Sequence, residues 1–116
     1  MPQDAARLLR IADRLNKIEH GSSEADAAIH HVLDLAGPQL DYTTDTDAAR
    51  SLLPKGFEWC PPMYSAEGVY AACRRKGRAA DGMNHPHTGQ WGRTLPLAMA
   101  GAAVRSHVLA QGIAEA

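Results

Sequence analysis

Between Asp4 and His20 the apolar residues Leu8, Ile11, Ala12, Leu15 and Ile18 recur at steps of three and four. That spacing places them on one face of an amphipathic helix, with Arg7, Arg10, Arg14 and Lys17 on the other. Gly21-Ser22-Ser23 stops this helix and opens a second, in which Ser23 is expected to accept from the amide of Asp26. Glu24 and Asp26 meet the positive end of its dipole. The predicted buried stripe is Ala25, Ala28, Ile29, Val32, Leu33 and Ala36, and Gly37-Pro38 ends the helix near Ala36.

Leu40-Asp41-Tyr42 reads as a short extended piece before a third helix from about Asp45 to Leu53, capped by Thr44 with Asp45 and Asp47 in its first turn. Pro54-Lys55-Gly56 closes that helix, and Phe57 to Cys60 starts a strand with Phe57 and Trp59 on one face. Pro61-Pro62 forces the chain out of ladder pairing. Val69 to Arg74 predicts a second strand, with Val69, Ala71 and Cys73 on one face and Tyr70, Ala72 and Arg74 on the other. The two strands are expected to form an antiparallel hairpin across Pro61 to Gly68. The glycine-rich segment from Arg75 to Gly92 reads as loop, with a weak third strand near Met83 to His85 or Gln90 to Gly92. A final helix follows, capped by Thr94, with Pro96 in its first turn. It carries Leu97, Met99, Ala100, Ala103, Val104, Val108 and Leu109 as far as Gly112, and its many small residues allow close packing.

These elements predict an α+β fold in a layered α/β/α sandwich: an antiparallel sheet of about two to four strands flanked by about four helices. The third and last helices are expected on one side of the sheet and the first two on the other, leaving both faces covered. With 116 residues the chain, 1–116, forms one domain with a single core. A net charge of −1 excludes the long-range field of a strongly cationic nucleic-acid binder and the acidity of a DNA mimic. Cys60 and Cys73 lie outside any CxxC spacing, and the first residues lack the apolar run of a signal peptide. Cytoplasmic residence with both thiols reduced is therefore expected, with no membrane partner.

Three segments together resemble the phage ABA sandwich domain family of small bacteriophage and prophage proteins. They are Gly21-Ser22-Ser23-Glu24-Ala25-Asp26-Ala27-Ala28-Ile29; Asp41-Tyr42-Thr43-Thr44-Asp45-Thr46-Asp47-Ala48-Ala49 with Leu53-Pro54-Lys55-Gly56-Phe57-Glu58-Trp59; and Gly92-Arg93-Thr94-Leu95-Pro96-Leu97-Ala98-Met99-Ala100-Gly101-Ala102-Ala103. The resemblance implies the α/β/α layering and a phage or prophage origin. It brings no catalytic residues.

The candidate chemistry is sparse. His85-Pro86-His87 with Cys60 and Cys73 would supply a Cys2His2 zinc set, although the spacing matches no familiar zinc module and Cys73 also reads as a small buried hydrophobe. Arg74, Arg75, Lys76 and Arg78 form a basic run near Tyr70, Trp91 and the two histidines, a pattern suited to a small single-strand nucleic-acid contact or to a solvated strand end. Asp41, Asp45 and Asp47 lack the glycine and closing glutamate of a calcium loop and read as helix capping. His30-His31 lie on one helix, where successive side chains diverge and do not chelate together. No Gly-x-Ser-x-Gly turn presents Ser51, Ser65 or Ser106.

The expected function is therefore a non-enzymatic phage or prophage accessory protein that binds an unidentified host or phage protein, without catalytic residues, metal or cofactor. Inhibition of a host defence system is one specific version, and homo-oligomer assembly is another. Its expected contact residues are Arg74, Arg75, Arg78 and Met83, then His85, His87, Trp91 and Arg93. The alternatives are a nucleic-acid-associated protein using Arg74 to Arg78 and a zinc-stabilised module.

Overall fold

The computed structural model describes residues 5–76 and 89–115, with side chains of the last helix through residue 110. Helix α1 (Ala5–Lys17) buries Leu8, Ala12 and Leu15, as its periodicity predicts, and leaves its arginines and Lys17 in solvent. Helix α2 (Ser23–Val32) begins one residue earlier in register than expected. Its cap is Ser22, which is extended and accepts from the Ala25 amide through Oγ at 3.0 Å. The helix also ends at Val32 rather than near Ala36, because Asp34 already takes the left-handed conformation at φ 54° and the Leu35 amide turns back to the His30 carbonyl at 3.1 Å. Aspartate is among the few residues that tolerate that geometry. Ile29, Val32 and Leu33 are buried as predicted, whereas Ala36 is exposed.

Tyr42 to Thr44 form a turn instead of an extended piece, with the Thr44 and Asp45 amides both donating to the Asp41 carbonyl. Helix α3 (Thr46–Arg50) is capped by Asp45, not Thr44, through a 3.1 Å bond from the Asp47 amide. It is shorter than predicted, since residues 51 and 52 continue as a turn.

The strands depart from the predicted hairpin. Strand β1 (Phe57–Trp59) stops before Pro61-Pro62, but the chain re-enters as β2 (Met63–Ser65), turns at Ala66-Glu67 and continues as β3 (Gly68–Ala71). After Ala72 it forms β4 (Cys73–Arg75), and β5 (Gln90–Gly92) follows later. Strand β1 pairs antiparallel with β4, aligning Phe57 with Arg75, Glu58 with Arg74 and Trp59 with Cys73. A separate three-stranded sheet has the order β2-β3-β5. The predicted strand from Val69 to Arg74 is thus divided between two sheets. The physical cause lies at the prolines: the Cys60 amide makes the last rung to the Ala72 carbonyl at 2.9 Å, and neither Pro61 nor Pro62 has an N–H with which to extend it. Before Ala72, residues Gly68–Ala71 take their partners from Met63–Ser65 and Gln90–Gly92 instead.

Helix α4 (Leu95–Glu115) starts at Thr94, whose Oγ1 accepts from the Leu97 amide at 3.4 Å. It packs on α1 and α3 and also on β3, β4 and β5. Leu97, Ala98, Ala100, Ala102, Ala103 and Val104 are all fully buried, so this helix is surrounded rather than amphipathic. One apolar cluster joins α4 to Leu8, Leu15, Ile29 and Leu52. The other joins it to Phe57, Val69, Ala71 and Cys73. Among the described residues the result is a layered α+β fold of four helices and two small antiparallel sheets. Helix α1 packs chiefly on α4, with a smaller contact to β5, and α2 packs on α1, rather than the two covering the far face of the sheet as expected.

Two glycines permit these close approaches. A Cβ on Gly92 would stand 2.6 Å from the Ala98 amide nitrogen, so only glycine lets β5 lie against the first turn of α4. A Cβ on Gly101 would collide with the side chain of Gln90 at 1.9 Å. That buried amide donates to the Ala12 carbonyl at 2.6 Å and accepts from Arg105 Nε at 2.6 Å, linking α1, β5 and α4.

Candidate interaction site

Val69, Ala71, Gln90 and Gly92 are buried on the helix side of the three-stranded sheet, and alternation turns their neighbours outward. Met63 lies opposite Tyr70, and Tyr70 lies opposite Trp91. Directly paired residues share a face, so these three form a row across all three strands. Met63 is 57% exposed and Trp91 43%, while Tyr70 is half-buried. The Tyr70 and Trp91 rings have centroids 5.2 Å apart and planes inclined at 57°. The backbone of Gly89 comes up against the Tyr70 hydroxyl, where a Cβ would overlap it. Tyr64, 68% exposed, lies at the margin of the same sheet. Beside Trp91 a depression is bordered by Ser65, Ala66 and Glu67 among the described residues.

The expected contact residues divide. Trp91 is exposed on β5 and Arg93 is exposed just after it. Arg74 is held on β4 by Glu58, its cross-strand partner, through a 2.6 Å bond from Nε to Oε2 that keeps the guanidinium more firmly protonated than usual. Arg75 lies over the Phe57 ring, 5.4 Å from its centroid. Two members of the basic run therefore make contacts inside the small sheet, leaving Lys76 exposed at its end. Arg78, Met83, His85 and His87 lie outside the described residues.

Among the described residues no group of three or more His, Cys, Asp or Glu side chains converges as a metal site. Cys73 is buried against α4, and burial pushes its thiol up to about 12 despite a hydrogen bond with Ser106. Such a thiol behaves as a protonated, small apolar group. Cys60 is half-buried at the edge of a cavity of about 100 Å³, shared with Trp59, Ala71, Leu95 and Met99. Asp45 caps α3 in place of the predicted Thr44, and Asp47, in the first turn as predicted, pairs with Arg50 at 2.9 Å. His30 stacks on Tyr42 and meets its hydroxyl through Nδ1 at 2.7 Å, while His31 is exposed.

Sequence reasoning named Trp91 and Tyr70 together beside the basic run but missed Met63 as their neighbour. The position of Tyr70 on the face opposite Val69 and Ala71 was legible from their alternation, although both faces were expected to be covered. Its alignment with Met63 was not, because strand β2 follows two prolines and carries no buried residue to mark its period. Comparison with protein-family models, curated proteins and solved structures found no match to this chain.

Proposed function

We propose that this chain is a non-enzymatic binding protein that recognises another protein through the outer face of its three-stranded sheet. The observation that supports this reading is the exposed row of Met63, Tyr70 and Trp91, flanked by Arg93. Aromatic, methionine and arginine side chains are the types that anchor interfaces, and here they project from paired strands rather than from an unpaired loop. The sequence resemblance to phage ABA sandwich domains supports a phage or prophage accessory role in the bacterial cytoplasm; inhibition of a host defence system is one specific version of that role, and homo-oligomer assembly is another. The internal engagement of Arg74 and Arg75 favours a protein partner over nucleic acid, since counterion release needs basic groups free to meet phosphates.

Affinity capture from bacterial lysate, with and without nuclease, tests the proposal when wild type is compared with Trp91→Ala and Met63→Ser. A protein retained after nuclease and lost from both variants is the expected result. Retention unaffected by either substitution overturns the surface assignment. Release by nuclease moves the function to nucleic acid.

A further inference from the structure

We infer that the segment recognised on this face contains proline in an extended polyproline conformation, with a proline ring seated against Tyr70 and Trp91. The inference rests on the proposed binding function and specifies the partner's chemistry.

The first argument is area. From their exposures, Met63, Tyr70 and Trp91 together offer on the order of 300 Å². A stable interface between folded proteins takes about 800 Å² from each side, so this row is too small to hold a second copy of the chain by itself. It suits a short segment. The second argument is the sheet edge. Both edge strands, β2 and β5, have only three residues, and β2 follows Pro61-Pro62, which leaves few rungs for an added β-strand at either edge. Recognition by side chains across the sheet face is what remains.

The third argument is ring geometry. The Tyr70 and Trp91 rings, with centroids 5.2 Å apart and planes inclined at 57°, pack against each other as one aromatic surface, of which Trp91 is 43% exposed. The pyrrolidine ring is compact, and its C–H groups next to the amide nitrogen are electron-poor, complementary to the electron-rich faces of indole and phenol. A polyproline segment is already extended before binding, so little ordering cost is set against a small contact area. Its carbonyls lack internal donors and need them from the receptor. Among the described residues no acceptor meets the Trp91 indole N–H, whereas that of Trp59 is bound to the Arg50 carbonyl at 3.3 Å. The exposed Trp91 donor and Arg93 can serve such carbonyls.

The two indoles provide the test. The ¹⁵N-labelled full chain is titrated with decaproline and, separately, with a glycine-serine decapeptide, following both indole N–H resonances. Saturable movement of the Trp91 signal with decaproline alone, with a midpoint of about 0.1–1 mM, is expected while Trp59 stays still. Trp91→Ala should weaken binding at least about tenfold, read from the Tyr70 amide, with the Trp59 resonance reporting an intact fold. Absence of saturable change up to about 5 mM, or equal change with the glycine-serine peptide, overturns the inference. Movement of the Trp91 signal with protein concentration alone also overturns it and assigns the face to a second copy. If decaproline fails but capture still depends on Trp91, the binding surface stands and only the proline chemistry falls.

Discussion

Asp26 and Thr43 are joined twice: one carboxylate oxygen of Asp26 accepts from the Thr43 amide at 2.8 Å and from its hydroxyl at 2.7 Å. Both residues are almost completely buried. Thr43 Oγ1 also accepts from the Ser22 amide at 2.9 Å, so the start of α2 and the turn before α3 are tied through one side chain. Gly21 completes the arrangement, since a Cβ there would stand 2.3 Å from the Thr43 carbonyl oxygen.

Removing the acceptor strands a buried amide. Asp26→Ala is expected to lower stability by about 2–4 kcal/mol, measured by urea unfolding. Asp26→Asn keeps a carbonyl acceptor and should cost less. A Thr43→Val change combined with Asp26→Ala should cost less than the sum of the two, because the groups share their bonds.

Gly101→Ala is expected to destabilise the protein by about 2–3 kcal/mol, although alanine is the better helix former. The added methyl displaces Gln90 from the Ala12 carbonyl and from Arg105. In a Gln90→Ala background the same change should cost much less. Equal costs in both backgrounds would show that Gln90 is not what fills the space.

His107 is largely buried, and its Nε2 donates to the Leu52 carbonyl at 2.8 Å, which requires the neutral ring to hold its proton there. Burial lowers its pKa below the ordinary 6.5, outweighing the effect of the Leu52 bond. The unfolded chain therefore takes up a proton first as pH falls. This contribution to stability is complete above pH 6.5 and declines as pH drops from there towards the folded-state value. Urea midpoints measured between pH 8 and pH 5 should show the decline, and His107→Gln should flatten it.

The cysteines should differ in reactivity. Iodoacetamide is expected to label half-buried Cys60 in the native protein, and Cys73 only after unfolding, because its thiol is buried and pushed up to about 12. Intact mass measured before and after adding urea distinguishes one adduct from two.

Much of this architecture follows from local chemistry. The period of Leu8, Ala12 and Leu15, the cap at Thr94 and the prolines after β1 each act within a few residues, so helices α1 and α4 and the end of β1 were readable directly. Helix ends were less so: Ser22 and Ser23 are chemically equal caps, and the contact of Ser22 with Thr43, distant in sequence, accompanies the choice of Ser22. The expectation of Asp26 as a first-turn carboxylate was correct in position but silent on its burial, which depends on that same turn. What the chain determined by itself was the placing of its helices and of the segments around Phe57–Trp59 and Val69–Arg74 as extended, with the alternation of residues between the two faces of those strands. Only tertiary structure decided that residues 68–75 divide between two sheets and that Met63, Tyr70 and Trp91 stand in one row. Strand register is set by partners far away along the chain, and no residue's own propensity specifies it.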